Sequence, residues 1–334
     1  MHKFRCVPIL ISLVVCCVLP MGWATTAEAA SKASDVAEGK DVVIVTVKSE
    51  ESLQSLAQQY LGSIDRAWQI ADFNGIEKAR PGQRLVIPLA PVRPGGIEKN
   101  GYQLVPVLYY PRIAAKRSNA KVVDTNLFAK QLQYLKNNGF KTISLDQLYA
   151  FLNFKAQLPP KAVVITFDTT QRWLYDIAYP ILLRHNLSAA VFIRTDRIGQ
   201  TGHLTWEEVK KLAAAGFDIG TNGSSAKKLT RVEKGTDAET HLQTLEAEIS
   251  TPREVIRHKT GRSCRYFAYP SGASDDMVVA LLKRHGYHAA FTLDPGSNPF
   301  FVDNFRIKRS LVRKEPDFKK FHEHLATFSS ADLR

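Results

Sequence analysis

The sequence has 334 residues, of which 45% are hydrophobic and 23% are charged, and its formal net charge is +13. This composition excludes a disordered chain, and the length allows one large domain beside a small one. The positive charge favours anionic partners, but no basic helix with interleaved aromatic residues is present, so the sequence does not predict nucleic-acid binding.

Residues 1–30 have the features of a secretory signal peptide. A basic start precedes an apolar run over residues 7–18, and small residues suited to cleavage stand at Ala27 and Ala29. The apolar run is shorter than the roughly 20 residues of a membrane-spanning helix. We therefore predict export to the periplasm, cell envelope or medium, with no transmembrane segment after cleavage. A retained membrane anchor and a lipoprotein attached at Cys16 are the alternatives.

Residues 31–40 are small and polar, and we expect a flexible leader there. Residues 41–90 predict a compact unit. A β-branched run predicts a first strand, and Ser52 is placed to cap a helix whose apolar residues share one face. A second helix ends at Asn74-Gly75, and a last strand follows the turn at Pro81-Gly82. The predicted order is strand, helix, helix, strand.

This unit resembles a LysM domain, and the resemblance implies binding of N-acetylglucosamine-containing glycan such as peptidoglycan. The chain departs from the family where Glu50 and Glu51 precede Ser52, and the alternative is that these residues only cap the first helix. The matching segments are Val45-Thr46-Val47-Lys48, Ser52-Leu53, Leu56-Ala57, Tyr60, Ile70, Asn74-Gly75-Ile76 and residues 81–88. The glycan contacts that the resemblance implies are Ser49, Glu50, Glu51, Ser52, Asn74, Gly75 and Ile76.

Residues 91–101 contain Pro94-Gly95-Gly96 and predict a linker. In residues 102–314, apolar strand-like runs alternate with amphipathic helical segments, which is typical of an α/β barrel with buried parallel strands. Residues 315–334 form a charged C-terminal tail. The chemistry of such barrels lies at the carboxyl ends of the strands.

The residues that end the apolar runs contain two carboxylates, Asp168 and Asp294, and no histidine. A hydrolytic metal site needs about three protein ligands, usually His, Asp or Glu. Residue types alone therefore do not predict a metal enzyme. These strand ends are Tyr110-Pro111, Asp168-Thr169-Thr170, Thr221-Asn222-Gly223, Pro270-Ser271-Gly272 and Thr292-Leu293-Asp294.

Residues 103–313 resemble the NodB-type polysaccharide deacetylases of carbohydrate esterase family four. The resemblance implies a deformed (β/α) barrel and removal of acetyl groups from N-acetylglucosamine units. The matching segments are residues 105–110, residues 158–168, Gly202-His203-Leu204-Thr205-Trp206, residues 216–220, Phe267-Ala268-Tyr269-Pro270 and Phe305-Arg306-Ile307.

Family members hold a divalent metal such as zinc with one Asp and two His, and an adjacent Asp acts as general base. The resemblance makes Asp168 the remnant general base. Thr169 stands at the position of the metal-binding Asp, and Asn222 and Ala226 stand at the positions of the two His. A hydroxyl, an amide and a methyl group replace three ligands, so we predict no metal cofactor.

The missing metal has a large energetic consequence. Free water has a pKa near ~16 and metal-bound water near ~7, whereas an ordinary Asp has a pKa of ~4. Proton transfer from free water to Asp168 is then uphill by roughly 16 kcal/mol, against roughly 4 kcal/mol with the metal. Asp168 has two other possible roles, to cap the turn that follows the strand or to contact a sugar hydroxyl.

The leading hypothesis is an exported, noncatalytic protein that binds peptidoglycan or an exopolysaccharide. The alternatives are an active polysaccharide N-deacetylase that uses Asp168 with an altered metal site, and a structural domain that binds another envelope protein. Further sugar contacts are expected in the barrel, at Tyr110, Trp173, Tyr269 and Ser271.

Overall fold

The predicted signal peptide, residues 1–30, lies outside the residues that the structure describes. Within the described part of the chain, no helix is both long and apolar enough to cross a membrane. The computed structural model describes residues 36–39, 41–89, 95–98, 100–115, 122–313 and 318–331.

The N-terminal unit is a three-stranded antiparallel sheet packed against two helices. The strand order is β1-β2-β3. The structure differs from the predicted leader at residues 36–38, which pair with β2 and place Val36 opposite Val45. The elements are β1 (Val36–Glu38), β2 (Val42–Thr46), α1 (Leu53–Leu61), a 3-10 turn (Ile64–Arg66), α2 (Ala67–Asn74) and β3 (Arg84–Pro88).

This unit has its own hydrophobic core, whose buried members all lie between Val43 and Ile87. The α1 helix begins with reciprocal hydrogen bonds: Ser55 N donates to Ser52 Oγ at 3.1 Å, and Ser52 N donates to Ser55 Oγ at 2.8 Å. It ends at Gly62, whose φ of 76° is the left-handed conformation that glycine adopts at low cost. The predicted strand-helix-helix-strand order is confirmed.

The larger unit alternates strands with helices, as predicted. Its helices are α3 (Thr125–Asn137), α4 (Leu145–Leu152), α5 (Tyr179–Arg184), α6 (Trp206–Ala214), α7 (Ala238–Thr260), α8 (Asp276–Arg284) and α9 (Lys319–Glu323). Its strands are β4 (Ile97–Glu98), β5 (Gly101–Tyr109), β6 (Ile113–Ala114), β7 (Val123–Asp124), β8 (Lys141–Thr142), β9 (Ala162–Asp168), β10 (Ala190–Ile193), β11 (Asp218–Thr221), β12 (Tyr266–Ala268), β13 (Ala289–Phe291), β14 (Ser297–Pro299), β15 (Ser310–Leu311) and β16 (Phe328–Ser330).

The main sheet has the order β13-β12-β11-β10-β9-β5-β14. All pairs from β13 to β5 are parallel. The sheet is curled, because the segment that contains Ile307 bridges to Phe291 of β13 while Ser310 pairs with Leu108 of β5. The segment from Ile307 to Leu311 thus closes the barrel. The predicted α/β barrel is confirmed.

Two cores lie on opposite faces of this sheet. The inner core fills the barrel, includes Val107, Val164 and Phe192, and is extended by the apolar side chains of α4. The outer core lies between the sheet and the other helices. Alternate residues of each strand enter different cores because side chains point to opposite faces with a period of two. Val163 and Ile165 accordingly belong to the outer core.

The described part of the C-terminal tail, residues 318–331, packs on the barrel unit, a point on which the sequence makes no prediction. Phe321 and Leu325 are buried in the outer core, and β16 pairs antiparallel with the start of β5, with Phe328 opposite Gln103. The pairing covers an edge of β5 that would otherwise expose unsatisfied backbone groups. This long-range pairing leaves no local signal in a charged segment.

Candidate functional site

Asp168 ends β9 and faces the interior of the barrel. Val164 of the same strand belongs to the inner core, and Asp168 follows it by an even number of residues. The carboxylate accepts two hydrogen bonds from Arg309, with Nη1 2.6 Å from Oδ1 and Nη2 2.8 Å from Oδ2. The residue at the predicted general-base position therefore forms a bidentate ion pair with Arg309.

Arg309 lies in the segment that closes the barrel. Its side chain is 0% exposed and that of Asp168 is 10% exposed. Nε donates to the carbonyl oxygen of Thr292 at 2.8 Å, and the guanidinium carbon lies 4.8 Å from the ring centroid of Tyr109 and 5.6 Å from that of Phe192. A buried charge is stable only when it is paired and hydrogen-bonded. Asp168 is thus the counter-ion of Arg309.

The turn after β9 is capped by Thr169 and not by Asp168. Gln171 N donates to Thr169 Oγ1 at 3.0 Å. One of the two other roles considered for Asp168, capping this turn, therefore belongs to its neighbour. The hydroxyl at the position of the metal-binding Asp already accepts a backbone hydrogen bond.

Thr169 and Asn222 lie at the same edge of the sheet, on either side of β10. Thr169 N donates to Phe192 O at 3.1 Å, and Asn222 N donates to Ile193 O at 3.2 Å. Both residues are buried, at 9% and 8% exposure. The structure thus brings together two of the three positions that the resemblance assigns to metal ligands.

The loop after β11 contains two residues with left-handed backbone conformations. Gly223 and Ala226 have φ values of 95° and 53°, and this conformation is costly for alanine. Ser225 anchors the loop to α7, since its N and Oγ donate to the two carboxylate oxygens of Glu248 at 2.9 and 2.5 Å. Among the described residues, the buried Oδ1 of Asn222 finds no hydrogen-bond donor.

The residues present do not fit a catalytic divalent metal. Thr169 offers a hydroxyl that serves the turn, Asn222 offers a neutral amide, and Ala226 offers no ligand atom. Asp168 is held by Arg309, whose positive charge opposes a cation beside it. Across the part of the chain that the structure describes, no three His, Cys, Asp or Glu side chains are grouped so that they could hold a metal ion.

Two of the predicted sugar contacts in the barrel are corrected by the structure. Tyr110 and Tyr269 are both 0% exposed. The Tyr110 hydroxyl donates to Gln131 Oε1 at 3.1 Å, and the Tyr269 hydroxyl donates to the carbonyl oxygen of Phe305 at 2.9 Å. Burial raises the pKa of both phenols, so both remain neutral donors inside the core.

Two other predicted contacts lie nearer the surface. Trp173 is half-buried, stands edge-to-face with Phe167 at 6.0 Å between centroids, and donates from Nε1 to Gln171 Oε1 at 2.8 Å. Ser271 is exposed and has a φ of 61° in the turn after β12. Both stay predictions as sugar contacts.

The predicted contacts in the N-terminal unit divide into structural and accessible residues. Asn74 is structural: Nδ2 donates to Ile70 O at 2.8 Å and to Val86 O at 2.7 Å, while Val86 N donates to its Oδ1 at 2.9 Å. Ser52 caps α1, and Glu51 Oε2 accepts from Lys48 N at 2.9 Å. These contacts support the capping alternative for Ser52 and Glu51.

The remaining residues of this set are accessible at two loops. Ser49, Glu50 and Gly75 are exposed, and Ile76 is half-buried. A cavity of about 1010 Å³ lies along the loop that begins at Gly75 and Ile76 and ends at Gln83. The loop after α2 is the part of the predicted groove for which the structure provides space.

Arg309 is the residue that sequence reasoning missed. It is 141 positions from Asp168, so no local pattern links the two. A weak signal exists, because Phe305, Ile307 and Arg309 alternate with exposed residues and all three are buried. A second missed contact joins Thr170 Oγ1 and His203 Nδ1 at 3.0 Å, at the carboxyl end of β9.

Two family models match the chain. Residues 155–290 match the polysaccharide deacetylase family, and residues 45–88 match the LysM domain. The first match covers β9, β11 and the loop with Asn222 and Ala226.

Individual proteins agree with these matches. A poly-beta-1,6-N-acetyl-D-glucosamine N-deacetylase of Staphylococcus epidermidis is 25% identical over 203 residues, which are 59% of this chain and 70% of that protein. The Streptococcus pyogenes deacetylase PplD has a TM-score of 0.61 at 20% identity, over 66% of this chain and 98% of its own. IcaB from Ammonifex degensii has a TM-score of 0.58 at 23% identity, over 68% of this chain and 97% of its own. At these identities, the solved structures establish the fold alone.

Proposed function

We propose that this chain, which joins a LysM domain to a polysaccharide deacetylase domain, is an exported glycan-binding protein that does not perform metal-dependent deacetylation. Its ligand class is N-acetylglucosamine-containing polysaccharide, which both domains imply. The basic start and apolar run of residues 1–30 support export. The proposed location is the periplasm, the cell envelope or the medium.

One observation carries the proposal: the residues at the metal positions do not fit a metal, and the remaining carboxylate is neutralised. Asp168 has both oxygens engaged by a fully buried Arg309. Moving a proton from water to this carboxylate would remove half of a buried ion pair, which costs about 3–5 kcal/mol when one partner is lost. This cost adds to the unfavourable proton transfer in the absence of a metal-bound water.

A noncatalytic role is compatible with what the site retains. Asn222 places a buried acceptor without a partner among the described residues at the carboxyl edge of the sheet. A sugar hydroxyl or an amide N–H is a donor of the kind that this oxygen lacks. The LysM unit provides a second binding surface, and two weak sites on one chain bind a polymer more tightly than either alone.

A second candidate function is an active polysaccharide N-deacetylase that uses Asp168 with an altered metal site. Asp168 is fixed at the strand end by two short hydrogen bonds, and the Staphylococcus epidermidis relative is a deacetylase by name. This function would require a cation beside Arg309, with ligands beyond Thr169 and Asn222.

The two functions differ in metal content and in acetate release. The purified full chain is measured for bound zinc, cobalt and nickel, and for acetate released from chitooligosaccharides, poly-β-1,6-N-acetylglucosamine and peptidoglycan. The Asp168→Asn variant serves as the control, once circular dichroism has shown that it is folded. We expect less than stoichiometric metal, acetate at the level of the buffer, and the same result for the variant. Stoichiometric metal with acetate release that the variant abolishes would establish the deacetylase instead.

Retention on insoluble glycan tests the binding function directly. We expect the full chain to sediment with peptidoglycan or chitin. A protein that stays in solution with every glycan, and that copurifies from envelope extract with one protein partner, would support the structural-domain alternative and contradict glycan binding.

A further inference from the structure

A cavity of about 500 Å³ lies between the β11–α7 loop and the first turns of α7. Four basic residues of the loop line it: Lys227, Lys228, Arg231 and Lys234. They fall within eight consecutive positions of a segment that is largely exposed. We call this space the basic cavity.

Most of the positive charge in the basic cavity is not neutralised by ion pairs. Lys227 lies 4.0 Å from Glu233, a long contact between two exposed side chains. Within the described residues, Lys228, Arg231 and Lys234 have no carboxylate inside ion-pair distance. Several like charges in a partly enclosed space attract an anion more strongly than isolated surface charges do.

Besides Glu233, the cavity wall has a second acidic residue, Glu248, which does not pair with these cationic side chains. Glu248 is buried, and both of its carboxylate oxygens accept hydrogen bonds from Ser225. The same contact joins the basic cavity to the loop after β11. That loop also carries Asn222, whose buried Oδ1 has no partner among the described residues. The basic cavity and Asn222 therefore belong to one continuous segment at the carboxyl edge of the barrel.

We propose that the basic cavity binds a carboxylate group on a glycan whose neutral sugars lie along the carboxyl edge of the barrel. The ligand class is an acidic polysaccharide that carries uronate or another carboxylate substituent. This inference rests on the proposed glycan-binding function and adds a preference for charge. Three ammonium or guanidinium groups suit a carboxylate, because hydrogen bonds between ionised groups are the stronger ones.

The test uses isothermal titration calorimetry of the full chain to separate recognition of negative charge from recognition of sugar. The probes are an oligogalacturonate, a chitooligosaccharide of equal length and a polyphosphate of equal charge. We expect the oligogalacturonate to bind more tightly than both others, and its affinity to fall as salt is raised. Equal affinity for polyphosphate and oligogalacturonate would overturn the proposal, because the cavity would then select charge without sugar.

Variants localise the effect. The variant K228E/R231E/K234E is matched with K155E/K211E/K259E, which makes the same change in net charge at exposed lysines outside the basic cavity. We expect a loss of oligogalacturonate affinity of about tenfold or more in the first variant and less than about threefold in the second. Equal losses would show that only the net charge matters and would overturn the proposal. Circular dichroism verifies that both variants fold, and K228Q/R231Q/K234Q is used if the first does not.

The same titrations separate this inference from the proposed function. Unchanged chitooligosaccharide binding in all variants, with no preference for oligogalacturonate, would reject the basic cavity as a carboxylate site and leave glycan binding intact. Absence of binding to every saccharide, together with loss of retention on chitin and peptidoglycan, would reject both.

Discussion

Arg309 and Asp168 form a buried ion pair that joins the segment closing the barrel to the end of β9, through contacts of 2.6 and 2.8 Å. The carboxylate that the family resemblance identifies as a general base thus neutralises an arginine that is fully removed from water. The need to compensate the buried charge of Arg309 accounts for a carboxylate at position 168, whether or not the protein is an enzyme.

The first prediction concerns the strength of this pair. Arg309→Met leaves the Asp168 carboxylate without its partner and should lower the free energy of unfolding by about 3–5 kcal/mol. Asp168→Asn should also destabilise the chain, because it leaves the buried guanidinium uncompensated. Urea unfolding followed by tryptophan fluorescence measures both, and the double variant completes a cycle. We expect the double variant to lose less than the sum of the two single losses. Additive losses would contradict a direct interaction.

A second prediction tests the assignment of the metal positions. Thr169→Asp, Asn222→His and Ala226→His together should create a zinc site, because the backbone N–H groups of Thr169 and Asn222 bond to adjacent residues at the end of β10. Calorimetric titration with zinc measures the gain. Thr169→Asp alone is the control and should bind weakly. A folded triple variant with no gain would show that the loop after Gly223 does not bring position 226 to the site.

The third prediction concerns backbone strain in that loop. Ala226 has a φ of 53°, so Ala226→Gly should stabilise the chain by about 1 kcal/mol. Ala280 lies inside α8 and is exposed, so Ala280→Gly should destabilise the chain by about 1 kcal/mol. Urea unfolding of both variants gives the two signs. Destabilisation by both would mean that the loop tolerates alanine without strain.

A fourth prediction concerns the pH dependence of stability. Burial is the main cause that raises the pKa of Asp218 from 3.8 to about 6, and the neighbouring Asp146 raises it further, while the hydrogen bond from Leu145 N at 2.7 Å lowers it. The folded chain therefore holds this proton more tightly than the unfolded chain does. The associated stability is complete below pH ~4 and is lost as the pH rises through ~6.

Asp218→Asn removes this titration. We expect the free energy of unfolding of the original chain to fall by at most about 3 kcal/mol between pH ~4 and ~7 relative to this variant. Asp276→Asn is the control, since its side chain is 94% exposed. The control should follow the pH profile of the original chain. Identical profiles for all three proteins would show that Asp218 titrates normally.

The fifth prediction concerns the LysM unit by itself. Its core residues all lie between Val43 and Ile87, so a fragment of residues 36–89 should fold alone. We expect the fragment to be retained on chitin or peptidoglycan. Asn74→Ala should weaken both folding and retention, because three hydrogen bonds are lost, two of which join α2 to Val86 of β3. A folded fragment that passes through both resins would remove glycan binding from this unit.

Much of the fold was predictable because its signals are local. The strand-helix-helix-strand order of the LysM unit followed from Ser52, the break at Asn74-Gly75 and the β-branched runs. In the barrel, apolar runs alternating with amphipathic segments predicted the parallel strands and their helices. Strand β1 was missed, and the sequence made no prediction on whether α9 and β16 pack on the barrel. Both depend on tertiary contacts that local patterns do not define.

The sequence by itself determined the chemistry that the site lacks: Thr169, Asn222 and Ala226 cannot supply three strong metal ligands in any fold. Only the tertiary structure decided that Asp168 pairs with Arg309 and that Tyr110 and Tyr269 are buried. It also decided that lysine and arginine side chains of the β11–α7 loop line one cavity. The reason is physical. Ligand chemistry is a property of single side chains, whereas charge pairing and burial depend on which strands meet when the barrel closes.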